Sequence, residues 1–416
     1  MRVGIEALNI YAGTAVLDVE LLAKARNIDS SRFENLLMRQ KSVALPCEDP
    51  VSFGVNAAKP IVDALSDADR SRIEMVITCT ESGLDFSKSM STYIHHYLGL
   101  GRNCRLFELK NACYSGTAGL QMAVNFILGG ASPGAKALIV CTDMSRVTTV
   151  EGERMIEAAF AEPSSGDGAV AMLVSDNPKV FQLDVGASGY YGYEVMDTCR
   201  PTSQHEAGDP DLSLLSYLQC CENSYREYEK RVADADYQAT FDYLAFHTPF
   251  GGMVKGAHRA MMRKRKQAPP AEIEQDFSRR VMPGLQYCQR VGNIMGGTVF
   301  LALASTIDNA RLNGPQRVGI FAYGSGCCSE FYSGVIAAQS GVEQRKVGIA
   351  KHLEGRYPLA MDEYDKLAAH RNEFRFGTRD ALVDAAMLPA IDQRIRGKGY
   401  LMLKRIKNFH RQYDWC

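Results

Sequence analysis

The sequence predicts an α/β fold. Short apolar, β-branched runs alternate along the 416 residues with longer stretches of helical periodicity, which is the pattern of a sheet covered by helices. Apolar residues make up 46% of the chain and charged residues 23%, enough apolar material for one or two large cores. No low-complexity linker divides the sequence, so its length fits either separate domains or one duplicated fold.

The strand segments are predicted from their apolar, β-branched composition. The opening six residues form a first strand and not a signal peptide, because Glu6 stands where a secretory apolar core would begin. The clearest later strands are residues 73–80, 105–109, 137–141, 169–174, 243–246, 318–323 and 331–336.

Charge and cysteine content exclude several classes of protein. Lysine and arginine number 47 against 48 acidic residues, which argues against bulk nucleic-acid binding. No apolar run approaches the roughly 20 residues that cross a bilayer. The twelve cysteines, without a secretory signal, predict free thiols and a cytoplasmic location. There is no C-x-x-C, and the adjacent pairs Cys220-Cys221 and Cys327-Cys328 are poor metal clamps, so no metal site is expected.

One loop–helix–strand pattern occurs twice, 180 residues apart. Cys113 opens the first copy and Asn293 the second, and each is followed three residues later by a glycine, Gly116 or Gly296. Chance similarity between two amphipathic helices is the alternative to a true repeat. Duplicated halves would meet about a pseudo-two-fold axis and bring both helix starts to one central site.

Cys113 is the candidate nucleophile. It follows a predicted strand and precedes a helix, where backbone amides and the helix dipole favour a thiolate. The small neighbours Ala112, Ser115 and Gly116 allow a substrate carbonyl to approach the backbone. The alternative is a buried cysteine that acts as a small hydrophobic residue.

His247 and Glu81 are the candidate acid–base groups. Each follows a β-branched or apolar strand, and strand carboxyl ends are where α/β folds place chemistry. Partial burial would raise the pKa of Glu81 toward the range of a general base. A core histidine and a loop-capping carboxylate are the alternatives, and His258 is a weaker rival to His247.

Gly324 and Ser325 follow another strand in a Tyr-Gly-Ser-Gly segment. Their glycine-rich backbone could expose amides that form an oxyanion hole. The segment lacks the third glycine and the βαβ context of a dinucleotide-binding motif.

The ordered set of these motifs resembles the 3-hydroxy-3-methylglutaryl-CoA synthase family over nearly the whole chain. The residues that carry the resemblance are Glu81, Cys113, His247, Asn293 and Ser325, each in its local motif. The resemblance implies a thiolase-like fold with two duplicated βαβαβαββ halves in five αβαβα layers, usually as a homodimer. It places the halves at residues 1–175, with Glu81 and Cys113, and 176–416, with His247, Asn293 and Ser325.

The resemblance also implies a role for each residue. Cys113 carries acetyl, Glu81 performs acid–base work, His247 and Asn293 bind the acceptor acyl group, and Ser325 lies where thioester oxygen binds. Segments 190–201, 211–217 and 162–168 look most like the stand-alone synthases that install β-branches in polyketide assembly lines. There both acyl groups arrive on the phosphopantetheine of acyl carrier proteins, and no metal or redox cofactor takes part.

Carrier proteins are usually acidic, so their docking surface is expected to be basic. The candidate basic residues are Lys255, Arg259, Arg263, Lys264, Arg265 and Lys266. Ser164 is a further candidate for binding pantetheine or the carrier, since it keeps a hydroxyl in the segment where the mevalonate branch has Pro-Thr-Gly-Gly. A solvated helix face is the alternative for the basic run.

Three other functions remain open at this point. The first is a mevalonate-pathway synthase that uses acetyl-CoA and acetoacetyl-CoA. The second is a β-ketoacyl synthase of the Cys-His-Asn type, for which Glu81 would be superfluous. The third is a thiolase-fold scaffold that binds carrier without turnover.

Overall fold

The computed structural model describes residues 2–29, 35–145, 158–201, 207–374, 376–383 and 389–416. The strands are β1 (Gly4–Tyr11), β2 (Ala15–Asp18), β3 (Gln40–Val43), β4 (Ile73–Cys79), β5 (Arg105–Leu109), β6 (Lys136–Asp143), β7 (Gly168–Ser175), β8 (Phe181–Gly192), β9 (Thr198–Cys199), β10 (Ala207–Gly208), β11 (Tyr243–Phe246), β12 (Gln316–Gly324), β13 (Cys328–Ile336), β14 (Tyr357–Pro358), β15 (Ala381–Leu382), β16 (Leu401–Lys407) and β17 (His410–Trp415). Every predicted strand is confirmed, most within two residues at each end, whereas the long strand β8 was not anticipated.

The helices of the described residues are α1 (Val19–Ala25), α2 (Pro50–Asp63), α3 (Asp67–Ser71), α4 (Ser91–Tyr97), α5 (Ser115–Leu128), α6 (Ala158–Ser164), α7 (Pro210–Arg231), α8 (Gly251–Lys266), α9 (Pro270–Asp276), α10 (Met282–Val291), α11 (Thr298–Asn309), α12 (Ala338–Arg345), α13 (Ile349–Glu354), α14 (Met361–His370) and α15 (Pro389–Ile395). A short π-helix (Phe277–Val281) joins α9 to α10, and 3₁₀ turns occupy Met295–Gly297 and Arg371–Phe374.

Nine strands form one sheet in the order β11-β12-β13-β8-β1-β7-β6-β4-β5. Only two residue pairs join β1 to β8. The sheet therefore consists of two half-sheets that meet at this short junction. In each half the first strand (β1 or β8) lies beside the last (β7 or β13), which pairs antiparallel with the strand before it (β6 or β12). That strand in turn pairs parallel with β4 or β11. The two halves therefore repeat one topology.

The half-sheets are separated and covered by helices. Helices α5 and α11 share one apolar core with strands of both halves. Helix α2 covers the outer face of the first half-sheet, and α7 covers that of the second. Because helices cover both faces, β6 and β7 are buried at every residue, as in other sandwiched sheets.

The repeat predicted from the sequence is confirmed, with one local difference. Strands β6 and β12 occupy equivalent places, and α5 and α11 precede them in the two halves. The helix starts meet so closely that a Cβ on Gly116 would lie 2.3 Å from the carbonyl oxygen of Gly296. In the second half, the described chain between α8 and α11 is helical where the first half has its edge strand β5.

Smaller sheets lie at the periphery. Strands β14, β2 and β3 form one, and β15, β16 and β17 form another near the chain end. Arg411 and Tyr413 of β17 both bind the carboxylate of Asp49 at 2.9 and 2.7 Å. Asp49 also caps α2 by accepting from the amide of Ser52, so the last strand is tied to the first large helix. Among the described helices, none is long and apolar enough to span a membrane.

Candidate active site

Glu81 lies directly beyond the carboxyl end of β4. This strand is parallel to both β5 and β6, so the residues that follow all three strands meet at one edge of the sheet. The amide of Thr80 bonds to the carbonyl of Leu109 at 3.1 Å, which places Glu81 beside the chain leading to Cys113. The Glu81 side chain is 22% exposed, so its carboxylate is sheltered but reachable.

Asp143, which the sequence reasoning missed, fixes the turn that carries Glu81. Its Oδ1 accepts hydrogen bonds from the Thr80 hydroxyl and the Glu81 amide at 2.9 Å, and from the Ser82 amide at 3.0 Å. Burial raises the pKa of Asp143 to about 6, although these donors oppose the rise. Its position at the end of β6, beside the strand of Glu81, was the signal that could have revealed it.

Arg200 is the second residue that was missed. Its guanidinium donates to the Glu81 carbonyl at 3.4 Å and lies 3.9 Å from Glu81 Oε1. Burial raises the pKa of the nearby Asp143, and the positive charge of Arg200 opposes that rise. Arg200 comes from the second half of the chain, more than a hundred residues away, and no local motif predicts the contact.

Cys113 lies two residues before α5 and is half-buried. The preceding Ala112 has a φ of 41°, a left-handed conformation that turns the chain sharply after Lys110 and Asn111. The sulfur therefore belongs to a loop at the amino end of a 14-residue helix, where the dipole favours a thiolate.

Gly324 brings the second half against this loop. A Cβ at Gly324 would lie 2.5 Å from the amide nitrogen of Tyr114 and 2.8 Å from the carbonyl oxygen of Asn111. Only glycine permits such an approach at the carboxyl end of β12. Ser325, the next residue, is half-buried at the same point.

Asp197 holds the chain around Ser325. Its Oδ1 accepts from the Gly326 amide at 2.8 Å, and its Oδ2 accepts from the Tyr323 hydroxyl at 2.5 Å. Asp197 is fully buried. The two bonds tie both sides of Ser325 to one carboxylate, which stabilises the turn as a rigid unit.

Asn293 lies on the loop between α10 and the 3₁₀ turn that begins at Met295. Its Oδ1 accepts from the Met295 amide at 3.0 Å and from the Thr298 hydroxyl at 2.8 Å. These two bonds fix the side-chain amide so that Nδ2 is its donor to a ligand. Ser164 contacts the same loop, since its backbone carbonyl accepts a hydrogen bond from the backbone N–H of Asn293 at 2.8 Å.

His247 follows β11, next to the strand that ends at Gly324. Its amide donates to the Phe321 carbonyl at 2.7 Å, and its carbonyl accepts from the Tyr217 hydroxyl at 2.7 Å. The residue is 1% exposed, and Nδ1 has no hydrogen-bond partner among the described residues. Burial lowers the pKa of His247 to about 3, so the ring is neutral at physiological pH.

The pKa of His247 predicts a pH-dependent stability. The unfolded chain binds a proton on this ring below about pH 6.5, and the folded chain does so only near pH 3. The contribution of the neutral His247 ring to the free energy of unfolding is therefore fully present above pH 6.5 and is lost as the pH falls toward 3. Between pH 7 and 5, the free energy of unfolding of the wild type should fall by about 2 kcal/mol relative to that of His247→Gln.

Urea unfolding at the two pH values measures this difference. His96→Gln, which changes an exposed histidine, should track the wild type. Parallel pH profiles for the wild type and His247→Gln would contradict a neutral buried ring.

His258, the weaker rival, belongs to a buried core network. Its Nε2 lies 3.0 Å from Asp276 Oδ1, and its Nδ1 lies 3.1 Å from the Tyr237 hydroxyl. Arg280 donates to the same Asp276 at 2.7 Å. These contacts give His258 a structural role within the core around α8.

The basic residues of α8 are only partly available to a partner. Lys264 and Arg265 pair with Glu222 and Glu229 of α7, and Lys266 binds Asp236 at 2.7 Å. Lys255 pairs with Glu274 at 2.8 Å. Basic residues in a last helical turn also suit the helix dipole. Arg259 and Arg263 are exposed, as are Lys264 and Lys266, whose amino groups bind carboxylates.

The candidate groups are therefore a thiol at a helix start, a carboxylate after β4 in one half, a neutral imidazole after β11 in the other half, and a fixed amide. A thiol beside glycine-rich backbone can take an acyl group from a thioester. A sheltered carboxylate can remove a proton next to an acyl carbonyl, and a neutral imidazole can donate one hydrogen bond to an oxygen that gains charge.

Comparison with known protein families gives two matches that cover most of the chain. The model described as hydroxymethylglutaryl-coenzyme A synthase N terminal matches residues 1–179. The corresponding C-terminal model matches residues 261–415. Both ends of the chain, and both halves of the fold, are thus represented.

Individual relatives match over the full length. The polyketide biosynthesis 3-hydroxy-3-methylglutaryl-ACP synthase of Bacillus subtilis is 63% identical over 414 residues, 99% of each chain. The hydroxymethylglutaryl-CoA synthase of Enterococcus faecalis is 32% identical over 416 residues, 99% of this chain and 100% of the relative. The crystal structure of the curacin biosynthetic pathway HMG synthase in complex with acetyl donor-ACP matches with a TM-score of 0.97 at 62% identity, covering 100% of each chain.

Proposed function

Because this chain belongs to the hydroxymethylglutaryl-coenzyme A synthase family, we propose that it joins a Cys113-bound acetyl group to the β-ketone of a carrier-bound polyketide. Hydrolysis then leaves a 3-hydroxy-3-carboxymethyl branch. The observation that carries the proposal is the packing of the Cys113 loop, at the start of α5, against Gly324 of the other half. The full-length identity of 63% to a synthase named for an ACP substrate supports the carrier-dependent branch.

Acetyl transfer is the first step. The Cys113 thiolate attacks the acetyl thioester, a new C–S bond forms, and the carrier thiol leaves with a proton. The helix start favours the thiolate, and backbone amides of the Cys113 loop and of Ser325 are the donors for the oxyanion. These donors accelerate transfer only if they fit the tetrahedral state better than the thioester.

Condensation is the second step. Glu81 removes a proton from the methyl group of acetyl-Cys113, and the resulting enol-like carbon forms a C–C bond to the ketone carbon of the acceptor. Asp143 and Arg200 hold the backbone on either side of Glu81, which keeps the base aimed at the methyl group. Asn293 Nδ2 is positioned to bind the acceptor acyl group.

His247 stabilises the alkoxide that forms on the ketone oxygen. Since burial lowers its pKa to about 3, it acts as a neutral hydrogen-bond donor and not as an imidazolium acid. The alkoxide then takes up the proton that Glu81 removed. Water finally cleaves the Cys113 thioester, so the acceptor gains the elements of acetic acid and the free thiol returns.

The donor is proposed to be an acetyl group on the phosphopantetheine of an acyl carrier protein. The curacin synthase, 62% identical, is solved in complex with acetyl donor-ACP, which supports this choice over free CoA.

The proposed homodimer would pair two chains at the outer edge of β5. Among the described strands β5 pairs only with β4, and its residues are all at least partly exposed, so this edge is open to a second copy.

Competition between donors tests the proposal. Acetyl-carrier and isotopically distinct acetyl-CoA are supplied together at equal concentration, and the label on Cys113 is read by mass spectrometry. We expect label from the carrier to dominate. Label mainly from acetyl-CoA would instead indicate a mevalonate-type synthase, and no label from either donor would indicate a non-catalytic scaffold.

Charge reversal at Arg259 and Arg263 should weaken carrier use selectively. These exposed residues are the α8 cations best placed to meet an acidic carrier, since Lys264, Arg265 and Lys266 have acidic partners. The double change to Glu should lower the rate of acetyl transfer from carrier about tenfold at low salt and leave transfer from a small acetyl thioester unchanged.

Lys351→Glu, on the exposed face of α13, is the control for a charge reversal placed away from α8. Added salt should reduce the difference in the rate of acetyl transfer from carrier between the wild type and the α8 variant. Equal losses with carrier and with the small thioester would reject docking at α8.

A further inference from the structure

Glu330 is a buried carboxylate that joins the two halves of the fold beside Cys113. It lies on β13, is 3% exposed, and pairs in register with Ala322 of β12. Its Oε2 accepts a hydrogen bond from the Tyr114 hydroxyl at 2.7 Å, and its Oε1 accepts one from the Gln121 amide at 2.7 Å. Tyr114 directly follows Cys113, and Gln121 lies on α5.

The two bonds are specific tertiary contacts. They connect residues 216 and 209 positions apart in the chain. Hydrogen bonds to an ionised acceptor are short and roughly twice as strong as those between neutral groups. Burying the Glu330 carboxylate is costly unless its oxygens are satisfied, so the sheet of the second half holds Tyr114 and Gln121 in place.

Tyr114 is therefore restrained at both ends. Its hydroxyl is held by Glu330, and its amide nitrogen packs against Gly324. Both restraints come from one antiparallel pair, β12 and β13, whose register is continuous from the pair Gln316–Ile336 to the pair Gly324–Cys328. A restraint on the residue next to Cys113 is also a restraint on the direction of its sulfur.

We propose that Glu330 is a positioning residue for acetyl transfer, which orients the Cys113 sulfur through Tyr114. The inference rests on the proposed role of Cys113 as the acetyl carrier. A displacement of about 1 Å in a reacting group can cost about 10²-fold in rate, so loss of this restraint should slow the chemical step. It should leave carrier binding unchanged, because Glu330 is buried inside the fold.

The test compares Glu330→Met, which removes both acceptors at similar volume, with Glu330→Gln, which keeps an acceptor. We expect the maximal rate of Cys113 acetylation by acetyl-carrier to fall about 10- to 100-fold in the Met variant, with an unchanged half-saturating carrier concentration. The maximal rate of Cys113 acetylation in the Gln variant should lie within about threefold of that of the wild type. The maximal rate is therefore measured in single turnovers, as a rate constant per folded molecule. A loss of stability alone would reduce the amount of acetyl-enzyme formed and not this rate constant.

Tyr114→Phe removes the same bond from the other side and should lower the maximal rate about tenfold. If Glu330 acts through Tyr114, the double variant should be no slower than Glu330→Met alone. Tyr287→Phe is the matched control, because its hydroxyl binds Asp308 at 2.7 Å near the opposite end of α11 from Asn293. This control should acetylate at the wild-type rate.

A wild-type maximal rate in folded Glu330→Met, or losses that multiply in the double variant, would overturn the inference. If Glu330→Met does not fold, Tyr114→Phe decides alone, and a wild-type rate there would overturn it. A wild type that accepts no acetyl group at Cys113 would overturn the proposed function, and this inference with it. Acetylation of the wild type with unaffected variants would overturn the role of Glu330 only.

Discussion

Glu81→Gln should separate the two chemical steps. We expect acetylation of Cys113 to stay within about threefold of the wild type, while condensation falls about 10²- to 10⁴-fold, the usual contribution of a general base. Glutamine keeps the size of the side chain, and the contacts of the Glu81 backbone with Asp143 and Arg200 remain. What it loses is the ability to take a proton from the acetyl methyl group.

Two rates on one preparation measure this effect. Burst formation of acetyl-enzyme reports the first step, and product on the acceptor carrier reports the second. Glu74→Gln, near the start of the same strand β4, is the control and should leave both rates unchanged. Full condensation by Glu81→Gln would instead point to a β-ketoacyl-synthase-type mechanism, in which the carboxylate is superfluous.

Cys113→Ala should abolish both steps. Without the thiol no acetyl-enzyme forms, and turnover should fall by at least about 10⁴-fold, since losing a nucleophile removes the covalent route altogether. The structure explains why Cys104 would not substitute. Burial raises the pKa of Cys104 to about 11, far from a reactive thiolate at neutral pH.

Peptide mapping after exposure to acetyl-carrier measures the site of acetylation. Cys104→Ala, a change at a half-buried thiol on another surface, is the matched control and should acetylate normally. Acetyl on a different cysteine in Cys113→Ala, with turnover retained, would contradict the assignment.

Most strands of the nine-stranded sheet were predictable because each of them carries its own local signal, whereas β8 was not anticipated. The segments 105–109 and 243–246 were predicted with the bounds that the structure gives, since each is a short run containing large apolar residues that ends at a polar or Pro/Gly turn. The residues after these strands then follow from a general rule, because parallel strands place their carboxyl ends together. This is why Glu81, Cys113 and His247 could be named from sequence.

The supporting residues could not be predicted, since their roles depend on contacts between distant segments. Arg200 reaches Glu81 from 119 residues away, and Glu330 reaches Tyr114 from 216 residues away. No periodicity or spacing in one sequence encodes such pairs. Asp143 was closer to being predictable, because it ends a fully buried strand beside that of Glu81.

The basic run on α8 shows the opposite difficulty. From sequence, Lys264, Arg265 and Lys266 form one continuous positive patch with Arg263. In the structure, acidic residues of α7 and of the turn after it face three of the four. The sequence shows which residues of α8 are charged. It does not show which acidic residues of other elements pair with them, because those pairs form only when α7 and the turn after it pack against α8.

The most direct measurement is a pulse–chase of one acetyl group. The protein is loaded with labelled acetyl-carrier, separated from it, and mixed with a β-ketoacyl carrier. We predict that label appears first on Cys113 and then leaves with a single time constant as the acceptor carrier gains the mass of acetic acid. Label that stays on Cys113, or that leaves as free acetate while the acceptor mass is unchanged, would contradict the account.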